Sequence, residues 1–272
     1  MKRVVPLEKA HEVGLYGSKA VGLGQAIREG LPVPAGLALS GAIVEAVAAG
    51  DEAALEQITR EVRLLRGPLA VRSSAVDEDG ASASFAGQHL TLLNVPSVER
   101  LGPALSEIWW SANSDSAITY RQRVGLFTRP SVGVVVQALL NPDAAGVMFT
   151  RNPVTGDDER VIEASWGLGE AVVAGLVIPD QYRVGRSGLV LERKAGYKKI
   201  AIRSAPDGGT FEEKLERDRV ERLCLTDDHL DGLHRLAGKC EEVYGSGRDI
   251  EWALAGGAIY LLQCRAITKG GR

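Results

Sequence analysis

Asp249-Ile250-Glu251-Trp252-Ala253-Leu254, then Ala255-Gly256-Gly257-Ala258, then Ile259-Tyr260-Leu261-Leu262-Gln263-Cys264-Arg265 read as two strands joined by a Gly-Gly turn. Side chains alternate along a strand and a one-residue slip reverses every face, so segregation of polar from apolar residues indicates the register. With a loop of odd length, for example Gly256 to Ala258, Glu251 faces Gln263 and Asp249 faces Arg265. Ile250, Trp252, Leu254, Tyr260, Leu262 and Cys264 then share the other side. A loop of even length mixes the two sets on both faces. The odd register is therefore predicted, and it gathers Asp249, Glu251, Gln263 and Arg265 into one polar patch. Carboxylates, an amide oxygen and a guanidinium are what a magnesium-nucleotide site needs: hard oxygen ligands for the metal and a bidentate donor for phosphate. The same pattern also fits a surface hairpin with a solvated polar face.

Working towards the N-terminus, Gly14-Leu15-Tyr16-Gly17-Ser18-Lys19-Ala20 places a lysine among small residues at a helix start, where free N–H groups and the ammonium can both face phosphate. It equally fits an ordinary exposed lysine in a first helical turn. In Ala70-Val71-Arg72-Ser73-Ser74-Ala75 an arginine ends an apolar strand and two hydroxyls follow. An arginine emerging from a buried strand is held rigidly enough to clamp phosphate; an edge-strand arginine paired with Asp77, Glu78 or Asp79 is the alternative. The loop Gly80 to Gly87 is built of small residues whose amides can approach a polyphosphate, or it is a flexible surface loop. Gly167-Leu168-Gly169-Glu170 is a tight turn rather than a dinucleotide fingerprint, and no GxxxxGK[ST] P-loop occurs.

Helices are expected over Gly17 to Gly30, Ser40 to Ala49, Asp51 to Leu65, about Val98 to Val124, and Thr226 to Tyr244 with Thr226 or Asp227 as N-cap. Strands are expected over Pro68 to Arg72, Thr91 to Val95, Gly146 to Thr150 and Arg160 to Ala164, with a meander over Gln181 to Val184, Gly188 to Glu192 and Lys194 to Arg203. Val132 to Leu140 is a near-continuous apolar run between Pro130 and Pro142, as for a strand buried on both faces. It is a natural hinge, dividing the chain into lobes 1–131 and 132–272.

The 272 residues are 45% hydrophobic and 25% charged, with a net charge of −3, a balance that argues against non-specific nucleic-acid binding. Cys224, Cys240 and Cys264 are far apart and lack CxxC spacing, so neither a disulfide framework nor a zinc site is indicated. The start of the chain has no signal-peptide pattern and no apolar run is long enough to span a bilayer, which leads to the expectation of a soluble, cytoplasmic protein with no membrane partner.

Taken in order, GSKAVGLGQAIREGLPVPAGLALS, LAVRSSAVDEDGASASFAGQHLTLLNV, IWWSANSDSAITYR, VVVQALLNPDAAGVMFTRNPVTGD, IEASWGLGEAVVAGLVIPDQY and DIEWALAGGAIYLLQCRAIT resemble the ATP-binding domain of the phosphoenolpyruvate synthase, pyruvate phosphate dikinase and rifampin phosphotransferase family. The resemblance spans nearly the whole chain. It implies an α+β ATP-grasp fold of two lobes with the nucleotide cleft between them, and ATP and Mg2+ as cofactors. It further implies that Lys19 and Arg72 contact phosphates, that Gly87 and Thr91 lie in the region covering the nucleotide, and that Gln137 lies near the adenine. Glu251 and Gln263, with Asp249 beside them, would hold magnesium, and Arg265 would contact phosphate; Lys19, Arg72 and Arg265 are the catalytic candidates. Two departures stand out: Ala266 replaces the proline that usually closes the Gln-x-Arg-Pro motif, and the region between Ser40 and Arg66 is shorter than usual.

Full-length relatives continue into a swivelling domain with a phosphocarrier histidine, and no TGG…SHA-type motif occurs here; His11, His89, His229 and His234 lie outside such a context. The expectation is an ATP-dependent phosphotransferase of dikinase type that passes the β-phosphoryl group to a histidine on a separate partner chain. A self-contained kinase or ligase acting on a small molecule, a module that binds ATP without turnover, and an excised domain of a longer enzyme are the competing readings.

Overall fold

The computed structural model describes residues 3–76, 90–123, 127 and 130–267. The chain divides into two compact units, the first comprising Met1–Ile27, Ala35–Leu139 and Ala205–Gly209, the second Arg28–Pro34, Leu140–Ser204 and Thr210–Arg272. Helices accompany antiparallel sheets in both, so the class is α+β, as expected.

The first unit contains β1 (Val4–Pro6), α1 (Val13–Arg28), β2 (Gly36–Leu39), α2 (Gly41–Ala48), α3 (Glu52–Val62), β3 (Leu69–Ala75), β4 (Thr91–Val95), α4 (Leu101–Ala112), α5 (Asp115–Arg123) and β5 (Val132–Ala138). Its five-stranded sheet has the order β1-β2-β5-β3-β4. One face, with Leu37, Leu39, Leu69, Val71, Val134 and Val136, packs on Ile43, Val44, Ile58, Leu101, Leu105 and Ile108 from α2, α3 and α4. Each such fully buried side chain contributes roughly 1.5 to 3 kcal/mol. The apolar run over β5 is buried on both sides, as predicted, because this strand is the middle of the sheet. For the same reason the expected break after residue 131 is displaced: β5 belongs to the first unit, which runs on through Leu139.

Local chemistry sets the helix ends. The Asp51 side chain accepts from Ala54 N–H at 3.0 Å and starts α3. The single long helix expected from Val98 is instead α4 and α5, interrupted at Asn113 and Ser114. Asn113 Nδ2 donates back to the Trp109 carbonyl (2.9 Å), and Ser114 Oγ accepts from Ala117 N–H (3.3 Å), so two polar side chains end one helix and start the next.

The second unit contains β6 (Ala144–Phe149), β7 (Glu159–Trp166), α6 (Glu170–Val173), β8 (Asp180–Gly185), β9 (Val190–Lys194), β10 (Ile200–Ser204), β11 (Thr210–Lys214), α7 (Arg217–Val220), α8 (Asp227–Tyr244), β12 (Arg248–Ala255) and β13 (Ala258–Ala266). Its main sheet is antiparallel with the order β13-β12-β6-β7-β8-β9. The expected meander holds for β8 and β9 only. The stretch from Lys194 to Arg203 breaks, and β10 leaves the sheet to pair with β11. Helix α8 buries Leu230, Leu233, Leu236, Ala237 and Cys240, and it starts at a Thr226 capping box in which Thr226 Oγ1 accepts from His229 N–H and the His229 ring accepts from Thr226 N–H.

The terminal hairpin reaches its expected pairs by a different route. The turn is two residues long, Gly256 and Gly257, both at positive φ (57° and 76°). This is the arrangement a two-residue hairpin needs, because its twist matches that of the strands. Asp249 pairs with Arg265 and Glu251 with Gln263, but Trp252 then pairs with Leu261, leaving Leu262 as an extra, bulged residue. An even loop plus one inserted residue restores the odd register beyond the bulge. Between bulge and turn the faces differ from expectation: Leu261 and Ile259, not Leu262 and Tyr260, stand opposite Trp252 and Leu254.

Candidate functional site

In the first unit, α1 is not continuous: Gly17 has φ 79° and ψ 167°, non-helical values that only glycine adopts without strain. A Cβ at Gly17 would lie 1.9 Å from the Ser74 carbonyl oxygen, so the chain here lies directly on β3. The helix restarts against that strand. Ala20 N–H donates to Ser74 Oγ (3.0 Å), and Lys19 Nζ donates to the Ser73 carbonyl (2.7 Å). Lys19 is only 7% exposed, which removes the reading of an ordinary surface lysine.

Arg72 is also buried and lies on β3 between β5 and β4, so it is not an edge-strand residue. It stands opposite Thr91 on β4 and Val135 on β5, while Gln137 stands opposite Ala70 and Gly36. Alternation puts Arg72, Thr91 and Gln137 on one face, the side away from the Leu37–Val71–Val134 core. Three of the expected residues thus share one face, and Lys19 reaches the backbone of the same strand. Gly87 and the acids Asp77, Glu78 and Asp79 lie outside the described residues.

Gly17→Ala is expected to destabilise the protein by about 2 to 4 kcal/mol, through strain at positive φ and overlap with backbone. Urea unfolding checks it; an unchanged midpoint would contradict the account of this kink.

In the second unit, Arg265 donates to one oxygen of Asp249, with Nε at 2.9 Å and Nη2 at 2.8 Å from Oδ2. The other oxygen, Oδ1, is buried without a hydrogen-bond partner. A buried carboxylate oxygen left unmatched is costly unless a cation or donor completes it. Gln263 is 8% exposed and faces the half-buried Glu251 across the strands. Among the described residues no group of three or more His, Cys, Asp or Glu is placed to hold a metal. That set suits Mg2+ all the same, because this ion takes one or two carboxylates and fills its remaining positions with water and substrate phosphates. Asp249 Oδ1, Glu251 and the Gln263 amide oxygen would hold it.

The sheet adds a residue that sequence reasoning did not single out. Glu251 pairs with Val147, Val147 with Glu163, and Glu163 with Gln181, so Glu163 lies on the same face as Glu251 and Gln263. Gln181 Nε2 donates to Glu163 at 3.4 Å. The alternation in Arg160 to Ala164 marks Glu163 as differing in face from Ile162, but only the strand order places it in this row.

A family profile described as "Pyruvate phosphate dikinase, AMP/ATP-binding domain" matches residues 39–272. The chain belongs to this family. The relatives include a probable phosphoenolpyruvate synthase of Archaeoglobus fulgidus, 33% identical over 304 residues, an alignment covering 95% of this chain and 40% of that protein. A rifampicin phosphotransferase of a Streptomyces species is 43% identical over 205 residues, covering 75% of this chain and 24% of that protein. This chain therefore spans well under half the length of either relative. Among solved structures, a D-alanine–D-alanine ligase from Bacillus anthracis aligns over 93% of this chain and 57% of its own with a TM-score of 0.39 and 10% identity. The dikinase-family match takes in Arg72, Thr91, Gln137 and the whole terminal hairpin; Lys19 lies before its first matched residue.

Proposed function

We propose that this chain is an ATP-grasp-type phosphotransferase unit of dikinase type, which binds Mg-ATP and passes the β-phosphoryl group to a histidine on a separate partner chain. The observation that supports it most is Asp249, one oxygen held by Arg265 and the other buried without a partner, next to the Glu251–Gln263 pair. Magnesium bound there would supply charge neutralisation and orientation of the polyphosphate. The Asp249–Arg265 pair fixes a guanidinium at the edge of the metal ligands, which suits it to stabilise charge developing on a transferred phosphoryl group. Lys19 and Arg72 are buried cations held by the first unit's sheet, and they act as preorganised phosphate contacts that need no reorganisation during transfer. Gln137, Thr91 and Gly87 serve to seat and cover the nucleotide.

The test is a product assay. The chain is incubated with Mg-ATP and histidine-bearing partner domains, and nucleotides and acid-labile phosphate on protein are measured together. AMP and phosphohistidine in matching amounts are expected. ADP as the nucleotide product, or robust turnover by the chain alone, would sink the dikinase reading. Among the described residues no helix is long and apolar enough to cross a membrane.

A further inference from the structure

Two cysteines far apart in sequence come together beside the candidate metal patch. Cys240 lies on the buried face of α8 with Leu236 and Ala237, and it is fully buried. Cys264 lies on β13 opposite Ile250, on the sheet face that packs under α8, and it is half-buried. The same packing brings Ile259 of β13 against Gly232 one end of the helix further on. Towards the other end of α8 the Tyr244 carbonyl accepts from Arg248, which stands opposite Ala266 of β13, so Cys240 comes level with Cys264, and both thiols are free. Cys264 is also the residue between Gln263 and Arg265, so anything that moves its backbone moves both of them.

We propose that Cys240 and Cys264 form a reversible oxidative modification site, a disulfide that cross-links α8 to β13 and lowers affinity for Mg-ATP. The second half rests on the reading of the hairpin as a nucleotide site. With a hydroperoxide as oxidant, one thiol attacks the O–O bond to give a sulfenic acid and an alcohol or water. The other thiol then displaces water from that sulfur, so both S–H bonds are replaced by one S–S bond and two electrons pass to the peroxide. A disulfide requires its sulfurs at about 2.0 Å, closer than any thiol–thiol hydrogen bond, so the reaction draws the strand and helix together. Displacement of a ligand-bearing strand by about 1 Å is enough to cost on the order of a hundredfold where groups must be aligned. Cys240 is fully buried and Cys264 half-buried, so the reaction with peroxide is slow and the test uses diamide, a dithiol oxidant that takes up the two hydrogens.

Trypsin separates the three cysteines cleanly, because Cys240 falls in peptide 240–248, Cys264 in 249–265 and Cys224 in 223–235. After diamide treatment, blocking of free thiols and digestion, the expected product is peptide 240–248 joined to 249–265, about 2 Da lighter than the two together. Cys224, buried in a separate hydrogen-bonded cluster, should remain blocked as a free thiol. The oxidised protein should bind Mg-ATP at least tenfold more weakly, dithiothreitol should restore it, and Cys264→Ser should be indifferent to diamide. Three free thiols after oxidation, or a bridge through Cys224, would overturn the proposal. A mapped Cys240–Cys264 bridge with unchanged affinity would overturn its regulatory half. If the reduced protein does not bind Mg-ATP at all, the nucleotide reading fails, and the peptide map still decides whether the bridge forms.

Discussion

Asp180→Asn is expected to destabilise the protein by about 3 to 5 kcal/mol, the usual consequence of leaving one member of a buried ion pair without its partner. Asp180 and Lys198 are both fully buried and paired with each other. Asp180 Oδ1 also accepts from Gly196 N–H (2.7 Å), and Oδ2 accepts from Cys224 N–H (2.8 Å) and the Tyr182 hydroxyl (3.5 Å). Burial pushes the Cys224 thiol and the Tyr182 hydroxyl well above their ordinary pKa values, with the Asp180 charge adding to both. Both groups therefore stay neutral and cannot compensate Lys198. For a chain of this size such a loss lowers the calorimetric midpoint by roughly 6 to 20 °C. Lys198→Met should cost a comparable amount, while the double variant Asp180→Asn/Lys198→Met should recover part of the loss, because no unpaired charge remains. A change below about 1 kcal/mol in either single variant would show that the pair is not held as described.

If the chain works as proposed, Glu251→Gln is expected to lower AMP-forming turnover by about a hundred- to a thousandfold and to raise the Mg2+ concentration needed for half-maximal rate, since the proposed carboxylate ligand is replaced by a neutral amide. The substitution keeps shape and hydrogen-bonding capacity, and Glu251 is only half-buried in β12, so the fold should persist. An unchanged circular dichroism spectrum and melting midpoint would establish that. The surface-hairpin alternative makes the opposite forecast. If Glu251→Gln turns over within threefold of the parent at every Mg2+ concentration, the polar face of the hairpin is a solvated surface and not a metal site.

Most of the secondary structure was legible because its signals are local. Proline punctuation and an unbroken apolar run located β5, and a threonine before an apolar helical stripe located the start of α8. The failures share one cause, which is that a competing local bond or a distant partner decided the outcome. Asn113 and Ser114 ended a helix that was expected to run on to Val124, because their side chains bond the backbone in place of the helical pattern. At the hairpin, segregation of faces gave the right polar pairs with the wrong loop, because an odd loop and an even loop with one bulge are equivalent beyond the bulge. The pairing of Asp180 with Lys198 had no sequence signal, since nothing local links residues in β8 to the segment before β10.

The order of chemically distinctive residues is a property of the chain itself. Sequence alone determined that Lys19, Arg72, Asp249, Glu251, Gln263 and Arg265 sit at element starts or on strands whose alternation fixes which neighbours share a face, because side-chain periodicity is set by backbone geometry. It also determined the α+β class. Which strands lie side by side was decided only by the tertiary structure. Burial of Lys19 against Ser73, the common face of Arg72, Thr91 and Gln137, the row that brings Glu163 into line with Glu251, and the meeting of Cys240 with Cys264 all depend on it. Strand order and helix docking are settled by which apolar faces cover one another, and that choice is made among distant segments by the total area they bury rather than by any residue's neighbours in the chain.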